Sequence, residues 1–544
     1  MRRARALIAG LVFVAVTITG CSFGTTTGNS SGSGSGDAVV LKVMAGSEVK
    51  DLEPVLQRAK EVTGVEVAAD YTGTLTGAEQ IAAGQADGTY DAVWYSSNRY
   101  LSLLEGSSSR LSTQTKTMAS PVVLGVRESV ARKLGWDTKA PTWKDITTAV
   151  KNGSLTYGMT DPSASNSGFS ALVGVATALS GGGAALTQKQ VDAAAPQLRE
   201  FFSGQKLTSG SSGWLADAYV NQQGTDRVDA LINYESVILE LNRGDRLTEK
   251  LHVVIPADGV VTADYPLTLL RSATQEKKDA YTRLTDWLRT PEAQQLIQEQ
   301  TARRPVVPGV KLDSRFGTTD LIELPFPNRR EVVDGLINAY MQDLRRPSQT
   351  VYVLDVSGSM NSRGRLDELK KAMSSLTGAQ GQTSQGVDRF ATFRARETVI
   401  LMPFSSRPQT PQTFTIPTKG GEKVRGQIQA AIDGLTAQGD TSIFTSVEEA
   451  YRVLERSTVS SDQAFNSIVV LTDGQNTSGQ SFGDLQAHYE SMPNDLKAVP
   501  TFSIVFGASD RGELEQLADL TGGRVFDATS GDLTAAFREI RGYQ

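Results

Sequence analysis

Short apolar runs punctuate most of the chain, and between them apolar residues return at helical spacing. Segments 39–45, 65–69 and 92–95 are rich in β-branched and apolar residues and read as strands, and 120–126 and 230–235 are further apolar stretches. Leu52, Val55, Leu56 and Ala59 fall on one face of a helix, a second helix is predicted near 78–86, and Leu284, Trp287, Leu288 and Leu296 predict one long amphipathic helix over 281–300. The rhythm resumes in the C-terminal third. Strands are predicted at 350–354, 399–404, 468–471, 501–506 and 524–526. Helices are predicted over Leu366, Leu369, Met373 and Leu376 and at 447–454, 514–520 and 533–540. Continuous apolar strands that alternate with amphipathic helices indicate parallel sheets covered on both faces, an α/β fold. Between the two regions, Val333, Leu336, Ile337, Tyr340 and Leu344 form a helical stripe within 332–344, ended by Arg345-Arg346-Pro347.

Three motifs sit at the ends of these C-terminal strands: Asp355-Val-Ser357-Gly-Ser359, Gly439-Asp440-Thr441 and Thr472-Asp473-Gly474. Asp355 and Asp473 each follow an apolar run, so both stand at strand carboxyl ends, the edge of an open α/β sheet where ligands bind. Asp355, Ser357, Ser359, Thr441 and Asp473 offer two carboxylates and three hydroxyls. Such hard oxygen donors suit Mg²⁺ first, with Mn²⁺ or Ca²⁺ as alternatives, rather than zinc or copper. The first motif alone reads equally well as a turn; the three together, in order and each at an element boundary, read as a metal site.

On these residues the segment 349–544 resembles a von Willebrand factor type A (VWA) domain, which implies a doubly wound, Rossmann-like fold. In that family the five matching positions form a metal-ion-dependent adhesion site whose open coordination position takes a carboxylate from a partner protein. The resemblance thus implies a protein partner that supplies an Asp or Glu. Asp440 departs from the family pattern, which often has a second glycine there.

At the other end, Arg2, Arg3 and Arg5 precede an apolar run, 7–16, of signal-peptide length. Ile18-Thr19-Gly20-Cys21 resembles a bacterial lipoprotein cleavage site, which implies that segment 1–20 is a signal peptide and that Cys21 carries lipid, palmitate included. Cys21 is the one cysteine of the chain, so no internal disulfide can form. Segment 21–36, rich in Gly, Ser and Thr, is expected to be a tether. The expected location is extracytoplasmic, lipid-anchored to the bacterial cell membrane.

The order of elements in 37–310 resembles extracellular solute-binding proteins, which implies a two-lobed, periplasmic-binding-protein-like (type II) module; 311–348 then connects it to the VWA segment. Candidate solute contacts lie at strand ends and helix starts: Ser47, Thr74, Ser96, Ser97, Ser165, Asn166 and Ser167, where hydroxyls and helix amides can hold an oxyanion. Each is equally a plain helix cap. Tyr234-Glu235 and Asp258 could close over a cationic or hydroxylated ligand.

A net charge of −6 over 544 residues, without a basic cluster, argues against nucleic acid, and Arg329-Arg330 and Arg345-Arg346 read as isolated surface pairs. Two histidines, His252 and His488, fall in different predicted domains, which leaves no triad and no zinc cluster, so catalysis is not expected. The expected function is a membrane-anchored binding protein whose metal site captures an acidic residue of a partner, while the receptor-like half binds or senses a small solute. The alternatives are the substrate-binding lipoprotein of an ABC-type importer with an accessory VWA domain and, remotely, a metal-dependent hydrolase.

Overall fold

The computed structural model describes residues 38–222, 227–317, 320–378, 391–459, 463–507, 511–529 and 533–544. The predicted signal peptide, Cys21 and the tether lie outside the described residues. Among those described, no helix is long and apolar enough to cross a membrane.

Three sheets organise the chain. In lobe I, β1 (Val39–Ala45), β2 (Val65–Tyr71), β3 (Ala92–Trp94) and β4 (Leu111–Lys116) are laid down first. The chain then crosses to lobe II, with β5 (Ser120–Arg127), β6 (Tyr157–Thr160), β7 (Gln205–Ser209), β8 (Ala230–Tyr234), β9 (Leu251–Val254) and β10 (Thr262–Ala263), and returns as β11 (Pro266–Leu270). The lobe I order is β2-β1-β3-β11-β4, with β1 parallel to β2 and β3, and β11 antiparallel to both its neighbours. Two crossings and a returning strand inserted beside β3 make this a two-lobed module of the type II kind. Lobe II runs β10-β5-β8-β6-β7, with β9 also paired to β5.

The predicted long helix over 281–300 is two helices, Gln275–Leu288 and Pro291–Thr301. Pro291 lacks an amide hydrogen, and Thr290 caps the new start by accepting from the Ala293 amide (3.2 Å). The helix predicted near 78–86 runs instead over Thr74–Ala82, with Gly73 as the extended residue at its start. The connector stripe packs on lobe II: Val333, Leu336, Ile337 and Tyr340 are buried against helices Asn166–Leu179 and Gln188–Phe202.

The third sheet has the order β14-β13-β12-β15-β16-β17, from β12 (Ser348–Asp355), β13 (Thr398–Phe404), β14 (Gln412–Thr415), β15 (Phe465–Thr472), β16 (Thr501–Val505) and β17 (Val525–Asp527). All pairs are parallel except β13 with β14, an exposed antiparallel edge whose polar sequence gave no apolar signal. Every residue of β12 is buried. Its alternate side chains feed two cores: Tyr352 and Leu354 pack with Leu369 and Phe537 on one face, Val351 and Val353 with Val447 and Leu514 on the other.

The receptor-like module meets the third sheet at the edge where its parallel strands begin. Trp214 of lobe II packs on Phe502 and Tyr543, and Tyr543 also touches Gly210. Arg345 and Arg346 were expected at the surface, and both are buried here. Arg345 pairs with Asp161 of lobe II (3.3 Å), and Arg346 donates to the carbonyls of Gln205 and Ala464. A guanidinium is buried only where partners take up its donors, and those partners come from segments far away in sequence.

Candidate functional site

At the opposite edge of the third sheet, the carboxyl ends of β12 and β15 bring four of the five predicted metal-site residues into one hydrogen-bonded cluster. Asp355 ends β12; its Oδ1 accepts the Ser357 amide (2.8 Å) and its Oδ2 accepts the Thr472 hydroxyl (2.6 Å). Ser357 Oγ and Ser359 Oγ lie 2.9 Å apart, and Ser359 donates to Asp473 Oδ1 (2.7 Å). Thr441 is held beside them because its amide donates to Thr477 Oγ1 (2.9 Å) and because the Gly358 amide donates to the Gly439 carbonyl (2.8 Å). A methyl group at Gly474 would stand 3.7 Å from Thr441 Oγ1 and 3.9 Å from Ser359 Oγ, so that glycine keeps open the space these oxygens face. Asp440, the departure from the family pattern, is exposed and tied to Ser406.

Charge at the cluster is unevenly distributed. The Arg365 guanidinium pairs with Asp473 Oδ2, an approach that needs Gly507: any Cβ there would crowd both Arg365 and Asp473. Gly507 also has φ +68°, a conformation that glycine adopts without strain. Asp355 has no such counterion among the described residues, and burial pushes its carboxyl up despite the hydrogen bonds from Thr472 and Ser357. As a donor set, two carboxylates and three hydroxyls, all buried except Ser359, suit a hard divalent cation, and Asp355 is the group such a cation would relieve most. Arg365 had no signal in the sequence, since it opens a helix ten residues after Asp355 and becomes a partner only when the fold brings Asp473 beside it.

The candidate solute residues divide into two groups. Ser47, Thr74 and Ser165 line a cavity of about 650 Å³ between the lobes. Ser96, Asn166 and Tyr234 meet behind it: the Tyr234 hydroxyl donates to Ser96 Oγ (3.0 Å) and accepts from Asn166 Nδ2 (3.1 Å), which bridges lobe I to lobe II. The others are committed elsewhere. Ser167 is buried in a hydroxyl chain with Thr160 and Ser212, Ser97 accepts the Arg99 amide, Glu235 is paired with Arg304 (2.6 Å), and Asp258 caps Trp143. Glu48, which the sequence offered only as part of a loop, also lines the cavity. Burial pushes its carboxyl up, against the lowering effect of its backbone hydrogen bond and of Arg303.

A two-lobed α/β module is thus joined to a mostly parallel sheet that carries a cluster of oxygen donors at its carboxyl edge. The family comparisons agree: residues 41–300 match the model for bacterial extracellular solute-binding proteins, and residues 350–475 match a von Willebrand factor type A domain model. The chain is a fusion of the two kinds. Among solved structures it is similar to a von Willebrand factor type A protein from Catenulispora acidiphila, at 19% identity and a TM-score of 0.29, over 36% of this chain and 42% of that one. It is also similar to a fructose-6-phosphate-bound periplasmic binding protein from Actinobacillus pleuropneumoniae (14% identity, TM-score 0.44, 56% of this chain and 98% of that one). A ferric binding protein from Campylobacter jejuni is similar at 12% identity and a TM-score of 0.44, over 55% and 98% of the respective chains. No curated protein matches the chain.

Proposed function

We propose that this is an extracytoplasmic, lipid-anchored binding protein in which the VWA domain captures an acidic side chain of a partner protein through a divalent cation, while the receptor-like half takes up a small solute. The observation that carries the reading is the convergence of Asp355, Ser357, Ser359 and Asp473 at the carboxyl edge of the sheet, with Thr441 beside them. These five residues would hold the cation, Mg²⁺ by preference, and when bound it would supply a Lewis-acid contact for the partner's carboxylate. Asp355 contributes a carboxylate with no counterion among the described residues, the hydroxyls contribute neutral donors, and Arg365 fixes the orientation of Asp473. Binding rather than turnover is the reading, because no histidine is among the described residues that line the cavity or hydrogen-bond within the cluster, and the one cysteine falls in the predicted lipidation site.

Mg²⁺ titration with a thermal-shift readout tests it. The native protein should gain several degrees, whereas Asp355→Ala and Asp473→Ala should gain nothing and should lose Mg²⁺-dependent, EDTA-reversible partner capture. Equal Mg²⁺ responses in all three would sink the metal reading. The cavity also keeps the importer alternative in play: a transport receptor would retain solute uptake in both variants.

A further inference from the structure

The cavity between the lobes has a third wall, and the VWA domain builds it. Thr74 and Ser165 face it from lobes I and II, and Arg394, Arg524 and Arg538 face it from the VWA side. Helices Thr74–Ala82 and Asn166–Leu179 both begin there, and neither Gly73 nor Ser165 supplies a side-chain cap to the leading amides. Two helix starts therefore present partial positive charge to one space. Thr74 Oγ1 adds an independent sign: the residue is 3% exposed, lines the cavity, and has no hydrogen-bond partner for its hydroxyl among the described residues. A buried hydroxyl left without a partner marks a place where a ligand atom belongs.

The VWA wall is electropositive for a reason that can be counted. Arg394, Arg524, Arg538 and Arg541 line the space against the two carboxylates of Glu48 and Glu539, and Arg345 lies beside Arg394. Burial, together with Arg541 and Arg345, pulls Arg394 down to about 9, the expected response of a cation pressed against others of its kind. Of the acids lining the space, Glu539 is engaged with Arg524 (3.0 Å) and Glu48 lies on the lobe I side. Deeper in the cleft, the Tyr234 bridge already joins the lobes, so the open volume is the part that the VWA domain walls.

We propose that this cavity binds a small solute bearing a phosphate or carboxylate group, held jointly by the helix starts of both lobes and by Arg394 and Arg538, so that the bound solute fastens the VWA domain to the receptor. The proposal rests on the reading of the receptor-like half as a solute-binding module. About 650 Å³ is room for a metabolite-sized ligand.

Calorimetric titration of the whole protein with inorganic phosphate and with citrate, in EDTA so that the metal-type site is out of play, tests it. At least one anion should bind and raise the melting temperature. Thr74→Val, which removes one oxygen at constant shape, and Arg538→Ala, at a half-exposed helix position, should each weaken binding about tenfold or more while melting normally without ligand. Anion binding that both variants leave untouched overturns the proposal. So does a protein that binds neither anion. If native mass spectrometry then finds a neutral or cationic solute retained in the cleft, the receptor reading survives; a cleft that retains nothing removes both.

Discussion

Glu397 lies fully buried between Arg394 and Arg541, with Arg541 Nη2 donating to its Oε2 at 2.8 Å. Burial alone would raise its carboxyl, but Arg541 and then Arg394 outweigh that and hold it below its usual value. A carboxyl depressed in the folded state contributes stability that is present above its unfolded pKa, about 4.3, and is lost as pH falls through the lower folded value. Glu397→Gln should therefore cost about 3–5 kcal/mol at pH 7, because it leaves buried guanidinium charge uncompensated. Melting curves across pH should bring variant and native protein together in acid. At this scale the sequence was most informative where chemistry is local: Asp355, Ser357 and Ser359 lie within one short loop, so their convergence could be read from spacing. Arg345 and Arg394 were opaque, since each acquires its role from Asp161, far away along the chain.

Elements whose apolar residues point to one or two cores were legible. β12 falls where an apolar run predicts it, β5 and β8 fall on the apolar stretches 120–126 and 230–235 because burial on both faces leaves a continuous signal, and β1 shows through the buried residues of its carboxyl half. β14 was not, being exposed and polar, and the break at residue 290 was hidden because apolar periodicity continues across it. Thr290 holds that break from both sides: it accepts from Ala293 and donates to the Trp287 carbonyl (2.8 Å). Thr290→Ala should cost roughly 1 kcal/mol in chemical denaturation, a typical loss for an N-cap. A value near zero would mean that Pro291 alone sets the boundary.

For the whole molecule, the decisive contact is the buried join between lobe II and the start of the third sheet. Asp161 neutralises Arg345 there, and Trp214, Phe502 and Tyr543 supply the apolar part. Asp161→Asn should uncouple the two halves, so that calorimetry resolves two unfolding transitions where the native protein shows one. A single transition in the variant would mean that the aromatic contacts suffice. Each half resembles a known family, but no sequence pattern announced that they would be packed together, because the join is written in single residues scattered over both.

β12 begins beside that join and ends at Asp355, about 23 Å away at the rise of a strand. If a partner pulls on Asp355, tension runs lengthwise along this strand. Its hydrogen bonds to β13 and β15 are then loaded in shear, many at once, while the ion pair and aromatic contacts near Ser348 are loaded a few at a time. Under traction the sheet would hold and the join would yield first, letting the receptor half swing free of a domain that still grips its partner.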